Sequence, residues 1–414
     1  MTTATGIPEN LMTDFDVYNP ALAVPTDVFQ ERVAELRAQG PILFSPLYGG
    51  HWIVTRYKEV HAILRDAETF SSYPNNLVNA GQGRFLPLEL DPPEHGYYRQ
   101  ALQPLFSPIR MKALEPEIRG IVNELIDGFI ERGECEFIAE FAHELPTRIF
   151  LALMGWPLAD APKFTEWTDI VLQGVPGASE SENEAARAQA AEEIFGYFGA
   201  VIEQVRAGEY GEGHLTAHIV CTPMKVADGE RLLTDEELCR MFFLLVVAGL
   251  HTVQGALAWG LVHLTWNPAE RQMLINDPDV IPQAVEEILR METASSSGRR
   301  ATRDVEIGGV SIKEGDQLLL LMTSANRDST EFENADTLIL DREPNRHIAF
   351  GAGAHRCLGS HLARIELRLA LEEIHRRLPD YALVPDNPPV MHASQVRGCE
   401  KLPITFGKGR KAGR

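Results

Sequence analysis

Positive charge is scarce in this chain. Its 414 residues include 38 Lys and Arg against 59 Asp and Glu, which gives a formal net charge of −21. A chain this acidic is a poor non-specific binder of nucleic acid, because phosphate binding needs positive charge. It also has no basic stripe to hold an anionic membrane surface. The charge balance therefore argues against a nucleic-acid partner and against attachment to a membrane.

Cysteine and targeting signals are also scarce. The chain has five cysteines, an odd number at wide spacing, which predicts reduced thiols in a cytoplasmic protein rather than a disulfide scaffold. Residues 1–25 contain no basic region followed by an apolar run, so no signal peptide or anchor helix is expected. Hydrophobic residues make up 44% and charged residues 23%, which excludes the disordered and collagen-like classes.

Only one long apolar run occurs, at residues 241–264, and it contains four polar side chains. Thr234 is followed three residues later by Glu237, which is the pattern of a capping box at the start of a helix. The pattern predicts one helix over residues 235–266 that ends near Pro268. A helix that is apolar on all sides is buried, so we expect a central helix rather than a membrane span.

The remaining periodicity predicts a mainly α protein with a small β portion. Helical spacing dominates residues 94–206, 282–291 and 358–378. Short strands are predicted within 41–47, 51–55 and 302–321, a long loop over 70–91 and a surface connection over 207–229. Neither repeats nor a clear linker is visible, so we expect a single domain over residues 1–414.

A glycine-rich segment surrounds Cys357: Phe350-Gly351-Ala352-Gly353-Ala354-His355-Arg356-Cys357-Leu358-Gly359. The glycines permit a tight backbone path, and the amides of the helix that follows would stabilise a thiolate. This chemistry is what a cysteine-ligated haem requires. A buried structural cysteine is the plain alternative. A zinc site of His347, His355, Cys357 and His361 is disfavoured, because it lacks a second thiolate.

The pattern Phe-Gly-x-Gly-x-His-x-Cys-x-Gly resembles the haem-binding signature of the cytochrome P-450 superfamily, the haem-thiolate monooxygenases. The resemblance covers nearly the whole chain and is to soluble bacterial members, camphor hydroxylases among them. It implies the single-domain P-450 fold, with haem b between the long central helix and the loop and helix that bear the cysteine. By this resemblance the cofactor-binding residues are Cys357 as the axial iron ligand, Phe350 and Gly351 beside it, and His95, Arg99, Arg299 and His355 at the haem propionates.

Two further patterns fit this resemblance. Glu287 and Arg290 lie one helical turn apart and, as in the family, are expected to pair with Arg342 in a structural triad. In the central helix the family has a glycine that opens the helix for dioxygen, then an acid and a threonine. Gly249 and Thr252 match the glycine and the threonine, but His251 stands where the acid is expected.

The departure at His251 leaves three hypotheses open. The imidazole relays protons itself, since histidine titrates near neutrality. Alternatively, proton delivery is reorganised and product formation is poorly coupled to NADH consumption. In the third hypothesis, His251 points away from the site and fills a gap in the packing.

The resemblance also implies a substrate pocket above the haem. Its matching positions are Phe85, Leu244, Val247, Ala248, Ser295 and Val396. This lining favours a small, mainly apolar substrate such as a terpenoid or an aromatic compound, with Arg84 or Ser295 to Ser297 as candidates for holding one polar group.

The expected reaction is hydroxylation, epoxidation or O-dealkylation with O2. No flavin or iron–sulfur pattern is present, so electrons should come from a separate ferredoxin and its NAD(P)H-dependent reductase. The ferredoxin is expected on the Cys357 side, near Arg110, Lys112 and Arg364. The missing acid keeps open a peroxide-using peroxygenase or a haem-thiolate enzyme that is not an oxygenase. A non-enzymatic haem-binding protein is disfavoured, because Cys357, Thr252 and the Glu287–Arg290 pair occur together.

Overall fold

The computed structural model describes residues 6–23, 28–78, 83–175, 178–210 and 214–412. Helices dominate these residues, as predicted. The first ten, up to and including the long central helix, are α1 Val28–Gln39, α2 Tyr57–Arg65, α3 Glu94–Leu102, α4 Pro108–Lys112, α5 Glu115–Phe129, α6 Glu144–Met154, α7 Ala161–Gln173, α8 Glu180–Arg206, α9 Leu215–Cys221 and α10 Asp235–Trp266. Four follow: α11 Pro268–Asn276, α12 Ile281–Met291, α13 Met322–Ala325 and α14 Ser360–Arg377.

The β portion is small and is divided among five sheets in the described residues. Its strands are β1 Ile42–Ser45, β2 His51–Val54, β3 Phe70–Ser71, β4 Glu134–Glu136, β5 Met224–Val226, β6 Gly229–Arg231, β7 Ser297–Ala301, β8 Val305–Ile307, β9 Val310–Ile312, β10 Gln317–Leu320, β11 Ala382–Leu383, β12 Val390–His392, β13 Gly398–Lys401 and β14 Pro403–Thr405. The largest sheet has the order β1-β2-β10-β7-β3, in which only β10 and β2 run parallel.

The predicted central helix is confirmed. α10 begins after Thr234, whose hydroxyl accepts a hydrogen bond from Glu237 N while the Glu237 carboxylate accepts from Thr234 N. It ends at Trp266, and α11 starts directly at Pro268. Among the described helices α10 alone is long and apolar enough to cross a membrane, and 67% of its apolar window is buried inside the protein. Its partners are therefore protein side chains, chiefly from α6, α8 and β13.

One prediction about the chain's connections is wrong. Residues 207–229, expected to be a surface connection because of their glycine and charge, contain α9 and the β5–β6 hairpin. Leu215, Ile219 and Val220 of α9 are buried against the main core. A helix of seven residues is too short for its apolar periodicity to be recognised in the sequence.

A buried histidine on α14, His375, should make the free energy of unfolding depend on pH. Nδ1 of His375 hydrogen-bonds Leu371 O at 2.7 Å, and Nε2 lies 3.4 Å from the Tyr381 hydroxyl, so the neutral ring is satisfied. Burial lowers the pKa of His375 from 6.5 to about 4. As the pH falls, the unfolded chain therefore takes up this proton first, and stability is lost.

We expect the free energy of unfolding to lose about 2 kcal/mol between pH 7 and about pH 5 through this residue alone. Urea unfolding of the wild type and of His375→Gln at several pH values measures it. The variant should show a shallower loss, whereas His218→Gln, at an exposed position, should follow the wild type. Parallel curves for the wild type and His375→Gln would contradict the assignment.

Candidate active site

A single large cavity collects nearly all the residues expected to bind cofactor, oxygen and substrate. Its volume is about 990 Å³, at the upper end of ligand cavities. It is lined by the predicted cofactor residues Cys357, Phe350, Gly351, His95, Arg99, Arg299 and His355, by the predicted substrate residues Phe85, Leu244, Val247, Ala248, Ser295 and Val396, and by Gly249 and Thr252. Residues from distant parts of the chain thus meet at one place.

Cys357 faces this cavity from the long loop between α13 and α14. The Cys357 N–H donates to Phe350 O at 2.8 Å, which closes the loop. Gly353 has a φ of +71°, and a Cβ there would lie 2.6 Å from Leu64 O, so only glycine fits. The thiol is exposed to the cavity, with protein around it on the other sides. Burial raises the pKa of the Cys357 thiol, an effect that the Gly359 amide and Arg99 oppose.

Arg99, Arg299, His95 and His355 form a cationic cluster at one end of the cavity, in which the two arginines carry the charge. Nε of Arg99 and both ring nitrogens of His355 are buried and lack a hydrogen-bond partner within the described chain. The His95 and His355 rings are 4.0 Å apart, and burial together with Arg99 and Arg299 lowers the pKa of His95 to about 4. Burial likewise lowers the pKa of Arg299 to about 10. Haem propionates would balance the charge of Arg99 and Arg299 and accept hydrogen bonds from the neutral rings of His95 and His355.

The structure also decides which of two adjacent arginines reaches this end of the cavity. Arg299 is 2% exposed and lines the cavity, whereas Arg300 is exposed on the same strand, β7. The residues present therefore fit a cysteine-ligated haem: a thiol at one wall and a set of cationic donors for the two carboxylates.

The wall provided by α10 differs from the expectation in one respect. Thr252 lines the cavity, and its hydroxyl donates to Ala248 O at 3.0 Å. α10 is helical without interruption from Asp235 to Trp266, so the opening expected at Gly249 is absent from this structure. A Cβ at position 249 would lie 3.4 Å from the Phe150 ring, an ordinary contact distance.

His251 does not line the cavity within the described structure; it contacts α7 instead. The side chain is 4% exposed, and its Nε2 lies 2.8 Å from Asp169 Oδ1. Asp169 is 33% exposed, so the pair joins a buried imidazole to the solvent side of the protein. The hypothesis of His251 as packing filler is therefore incomplete, because the residue has an acidic partner. Asp169 carries no signal in the sequence, since it is 82 positions from His251.

The substrate side of the cavity is mostly apolar. Ser295 and Val396 form an isolated antiparallel bridge, which explains how residues so far apart in sequence share the wall. Phe85 stacks on Phe243 with the ring centroids 5.9 Å apart, and Phe243 is a lining residue that sequence reasoning missed. Arg84, a candidate for holding a polar group, is exposed, and its guanidinium lies 4.4 Å from the Tyr73 ring, outside the lining. Of the polar candidates, Ser295 to Ser297 line the cavity.

The predicted triad is confirmed. Glu287 binds Arg290 Nε at 2.7 Å and Arg342 Nε at 3.0 Å, and the side chains of Glu287 and Arg290 are fully buried. Arg290 also donates to the carbonyl oxygens of Asn326 and Ala335 at 2.8 and 2.7 Å. The triad thereby holds α12 against the segment that leads into the Cys357 loop.

One of the cations expected on the docking face is already paired. Arg364 donates to both carboxylate oxygens of Glu286, at 2.6 and 2.8 Å, and lies 4.4 Å from the Phe350 ring. Arg364 therefore supports the Cys357 loop rather than presenting a free charge, which corrects the prediction. Lys112 is exposed, as is Arg356 beside the cysteine, which sequence reasoning overlooked.

The fold and this cavity together define a protein of the haem-thiolate class. Residues 180–379 match the family model described as Cytochrome P450. The chain is 34% identical to the mycinamicin IV hydroxylase/epoxidase of Micromonospora griseorubida, over 91% of this chain and 95% of that protein. It is 33% identical to the methyl-branched lipid omega-hydroxylase of Mycobacterium bovis, over 93% and 92%. The crystal structure of CYP101C1 matches with a TM-score of 0.86 and 30% identity, over 98% of this chain and 100% of that one.

The chain belongs to the cytochrome P450 family. Members of this family bind haem b through a cysteine thiolate, and the named relatives are hydroxylases and epoxidases. The chain is accordingly a P450 monooxygenase, which acts on a substrate and O2 with electrons from redox partner proteins.

Proposed function

We propose that this protein is a cytoplasmic, single-domain monooxygenase that hydroxylates, epoxidises or O-dealkylates a mainly apolar organic substrate, with electrons from a separate ferredoxin. The observation that carries the proposal is the meeting of Cys357, Thr252 and the cationic cluster around one cavity. Bound haem supplies the redox chemistry that activates dioxygen. The chain's own residues hold that group, exclude water, orient the substrate and move protons.

The cofactor is held by residues on two sides. Cys357 supplies the thiolate ligand, and the Gly359 amide and Arg99 favour its ionised form. His95, Arg99, Arg299 and His355 bind the propionates, whose charge satisfies the buried nitrogens of Arg99 and His355. Phe350 and Gly351 form the surface beside the sulfur.

Protons are delivered through α10. The Thr252 hydroxyl faces the cavity and donates a proton at Oγ1, which otherwise binds Ala248 O. His251 Nε2 holds the next proton against Asp169 Oδ1. Because Asp169 is partly exposed, it connects the buried imidazole to solvent, from which protons can be resupplied. His251 and Asp169 together thus take the place of the acid expected beside the threonine.

The substrate is held by apolar contacts. Phe85, Leu244, Val247, Ala248 and Val396 form the walls, and the hydroxyl of Ser295 holds one polar group. One named relative acts on mycinamicin IV and another on methyl-branched lipids. These names support an apolar substrate class, within which a terpenoid or an aromatic compound remains our proposal for this cavity.

Electrons arrive one at a time at the Cys357 face. We propose a ferredoxin and an NAD(P)H-dependent reductase as donors, because the sequence contains no cluster or dinucleotide pattern of its own. Exposed Lys112 and Arg356 supply local positive charge on a chain with a net charge of −21. Such a patch would guide an acidic partner.

The test is turnover of a panel of terpenoids, aromatics and fatty acids that first produce a high-spin shift in the ferric protein. Product should form with NADH, reductase, ferredoxin and O2. The alternative is a peroxygenase, which the missing acid suggests. Product with hydrogen peroxide alone, and none with the ferredoxin system, would establish that alternative and reject the proposal.

The proton path predicts a large effect of a distant residue. Asp169→Asn keeps a hydrogen-bond acceptor beside His251 but removes the negative charge from the pair. We expect product per NADH consumed to fall at least about tenfold, since positioned acid–base groups contribute about a hundredfold or more. The substrate dissociation constant should stay the same, because Asp169 does not line the cavity.

Glu166→Gln is the matched control for this prediction. Glu166 is an exposed carboxylate one turn earlier on α7, and its removal should leave the coupling ratio unchanged. His251→Asp extends the test by restoring the acid of the family. If coupling rises in His251→Asp without loss of rate, or stays at the wild-type value in Asp169→Asn, the histidine does not relay protons.

A further inference from the structure

Three potential metal-binding side chains meet on the side of α10 that faces α7. His251 lies on α10 and Asp169 on α7, and His143 directly precedes α6. One ligand atom from each residue, a histidine nitrogen or a carboxylate oxygen, lies within 4.8 Å of the other two. None of the three side chains lines the haem cavity. The cluster is therefore separate from the cysteine site.

The cluster is incomplete as a hydrogen-bond network. Asp169 Oδ1 lies 2.8 Å from His251 Nε2 but 3.8 Å from His143 Nε2. His143 Nε2 is buried and has no hydrogen-bond partner in the described residues, and neither does His251 Nδ1. Buried polar nitrogens of this kind usually have a partner, so an unpaired one aimed at a carboxylate indicates a missing group.

The missing group matches a transition-metal ion in its ligand chemistry, and the three ligand atoms lie within 4.8 Å of one another. Ligands at about 2.0–2.1 Å around a tetrahedral zinc ion lie roughly 3.3 Å apart. The 2.8 Å contact needs to open and the 3.8 Å contact needs to close, each by roughly 0.5 Å. We propose that His143 Nε2, Asp169 Oδ1 and His251 Nε2 form a binding site for Zn²⁺.

The donor set favours zinc over the common hard cations. Mg²⁺ and Ca²⁺ prefer oxygen ligands, whereas two imidazoles and a carboxylate suit zinc. Three protein ligands leave the fourth tetrahedral position to water. The ion can enter from solvent, because the Asp169 side chain is 33% exposed and that of His143 is 14% exposed.

Zinc at this site would inhibit turnover. The metal takes the lone pair of His251 Nε2 and the charge of Asp169, the two groups proposed to deliver protons. This consequence rests on the proposed function, but the binding itself does not. Zinc would then regulate coupling from a largely buried site outside the haem cavity.

The test is equilibrium dialysis of the haem-loaded protein against ZnCl2, followed by elemental analysis of zinc and iron. His214 and His218 form an exposed pair one turn apart on and before α9, which can bind zinc by itself. The experiment therefore uses the His218→Ala background throughout. We expect one zinc ion per haem iron at micromolar free zinc in that background.

Single substitutions locate the ion. His143→Asn and Asp169→Asn should each weaken binding more than about tenfold, since even outer partners of a metal site contribute that much. Glu166→Gln should bind as the background does. X-ray absorption at the zinc edge should show nitrogen and oxygen neighbours at about 2.0–2.1 Å with two imidazole rings.

The proposal is overturned if zinc binding disappears in the His218→Ala background, or if it is unchanged by both His143→Asn and Asp169→Asn. Dialysis measures zinc binding without turnover, so its result does not depend on the coupling measurements. If Asp169→Asn loses coupling but the wild type binds no zinc, the proton relay is supported and the metal site is rejected. Zinc binding without any effect on turnover would keep the site and reject the relay.

Discussion

Replacement of Cys357 by serine should abolish the strongly red-shifted Soret band of the dithionite-reduced carbon monoxide complex. The band would require a cysteine thiolate as a ligand of the bound haem, and no other described cysteine lines the cavity. Turnover with ferredoxin and O2 should fall by more than about a hundredfold, which exceeds the 10–100-fold effect of removing an outer partner of a metal. The expectation rests on the Cys357 thiolate, which would hold the haem and tune it for the activation of dioxygen.

The local structure should survive this substitution. Serine is isosteric with cysteine, and the contact that closes the loop is the Cys357 N–H bond to Phe350 O, which a side-chain change leaves in place. Far-UV circular dichroism should therefore match the wild type. The haem content, measured as the pyridine complex, then reports how much of the cofactor's affinity comes from the thiolate and how much from the cationic cluster.

Cys221→Ser is the matched control, since Cys221 is an exposed free thiol at the end of α9. It should keep both the red-shifted band and the turnover. A red-shifted band that persists in Cys357→Ser would mean that another residue ligates the iron, and the site built around the 350–359 loop would have to be discarded.

The sequence predicted those helices and strands whose ends are determined by residues close to one another in the chain. The capping box at Thr234 and Glu237 and the stop near Pro268 placed the ends of α10, and both are confirmed. The strands around Val305 and Val310 likewise form the β8–β9 hairpin. In these cases the side chain and the backbone group that it satisfies are a few residues apart, so their spacing is visible in the sequence.

Only those site residues that stand in a motif of the resembled family could be predicted from the sequence. Cys357 and Thr252 stand in recognisable patterns, and both line the cavity. Asp169 could not be found in this way, because α7 brings it to His251 from 82 positions away and a single acid on an amphipathic helix has no distinctive pattern. The same holds for Arg364, which was expected to be a free charge on the docking face. It pairs instead with Glu286, 78 positions away, and the sequence gives no sign of this contact.

Glu287→Gln should strongly destabilise the protein. Glu287 is fully buried and accepts hydrogen bonds from Arg290 at 2.7 Å, Arg342 at 3.0 Å and the Ile339 N–H at 2.9 Å. Glutamine keeps the shape but removes the charge, and it leaves two guanidinium groups without an anion. Breaking a buried ion pair from one side costs about 3–5 kcal/mol. Urea unfolding followed by circular dichroism measures this loss.

The position of the triad adds a functional consequence. Arg342 lies in the segment that leads to Phe350, so the loop that presents Cys357 should loosen together with it. Haem should therefore dissociate from Glu287→Gln at lower urea than the concentration that unfolds α10, and the Soret signal should be lost before the helical signal. In the wild type the two transitions should coincide.

A double-mutant cycle separates the interaction between Glu287 and Arg342 from other effects of each substitution on stability. Glu287→Gln combined with Arg342→Gln should destabilise by less than the sum of the single changes, by about 0.5–3 kcal/mol, because the second change removes a charge that the first left unpaired. Asp304→Asn, which breaks the exposed pair with Lys313, should cause no measurable loss. If Glu287→Gln is no more destabilising than Asp304→Asn, or if the two changes are additive, the triad does not brace the Cys357 loop.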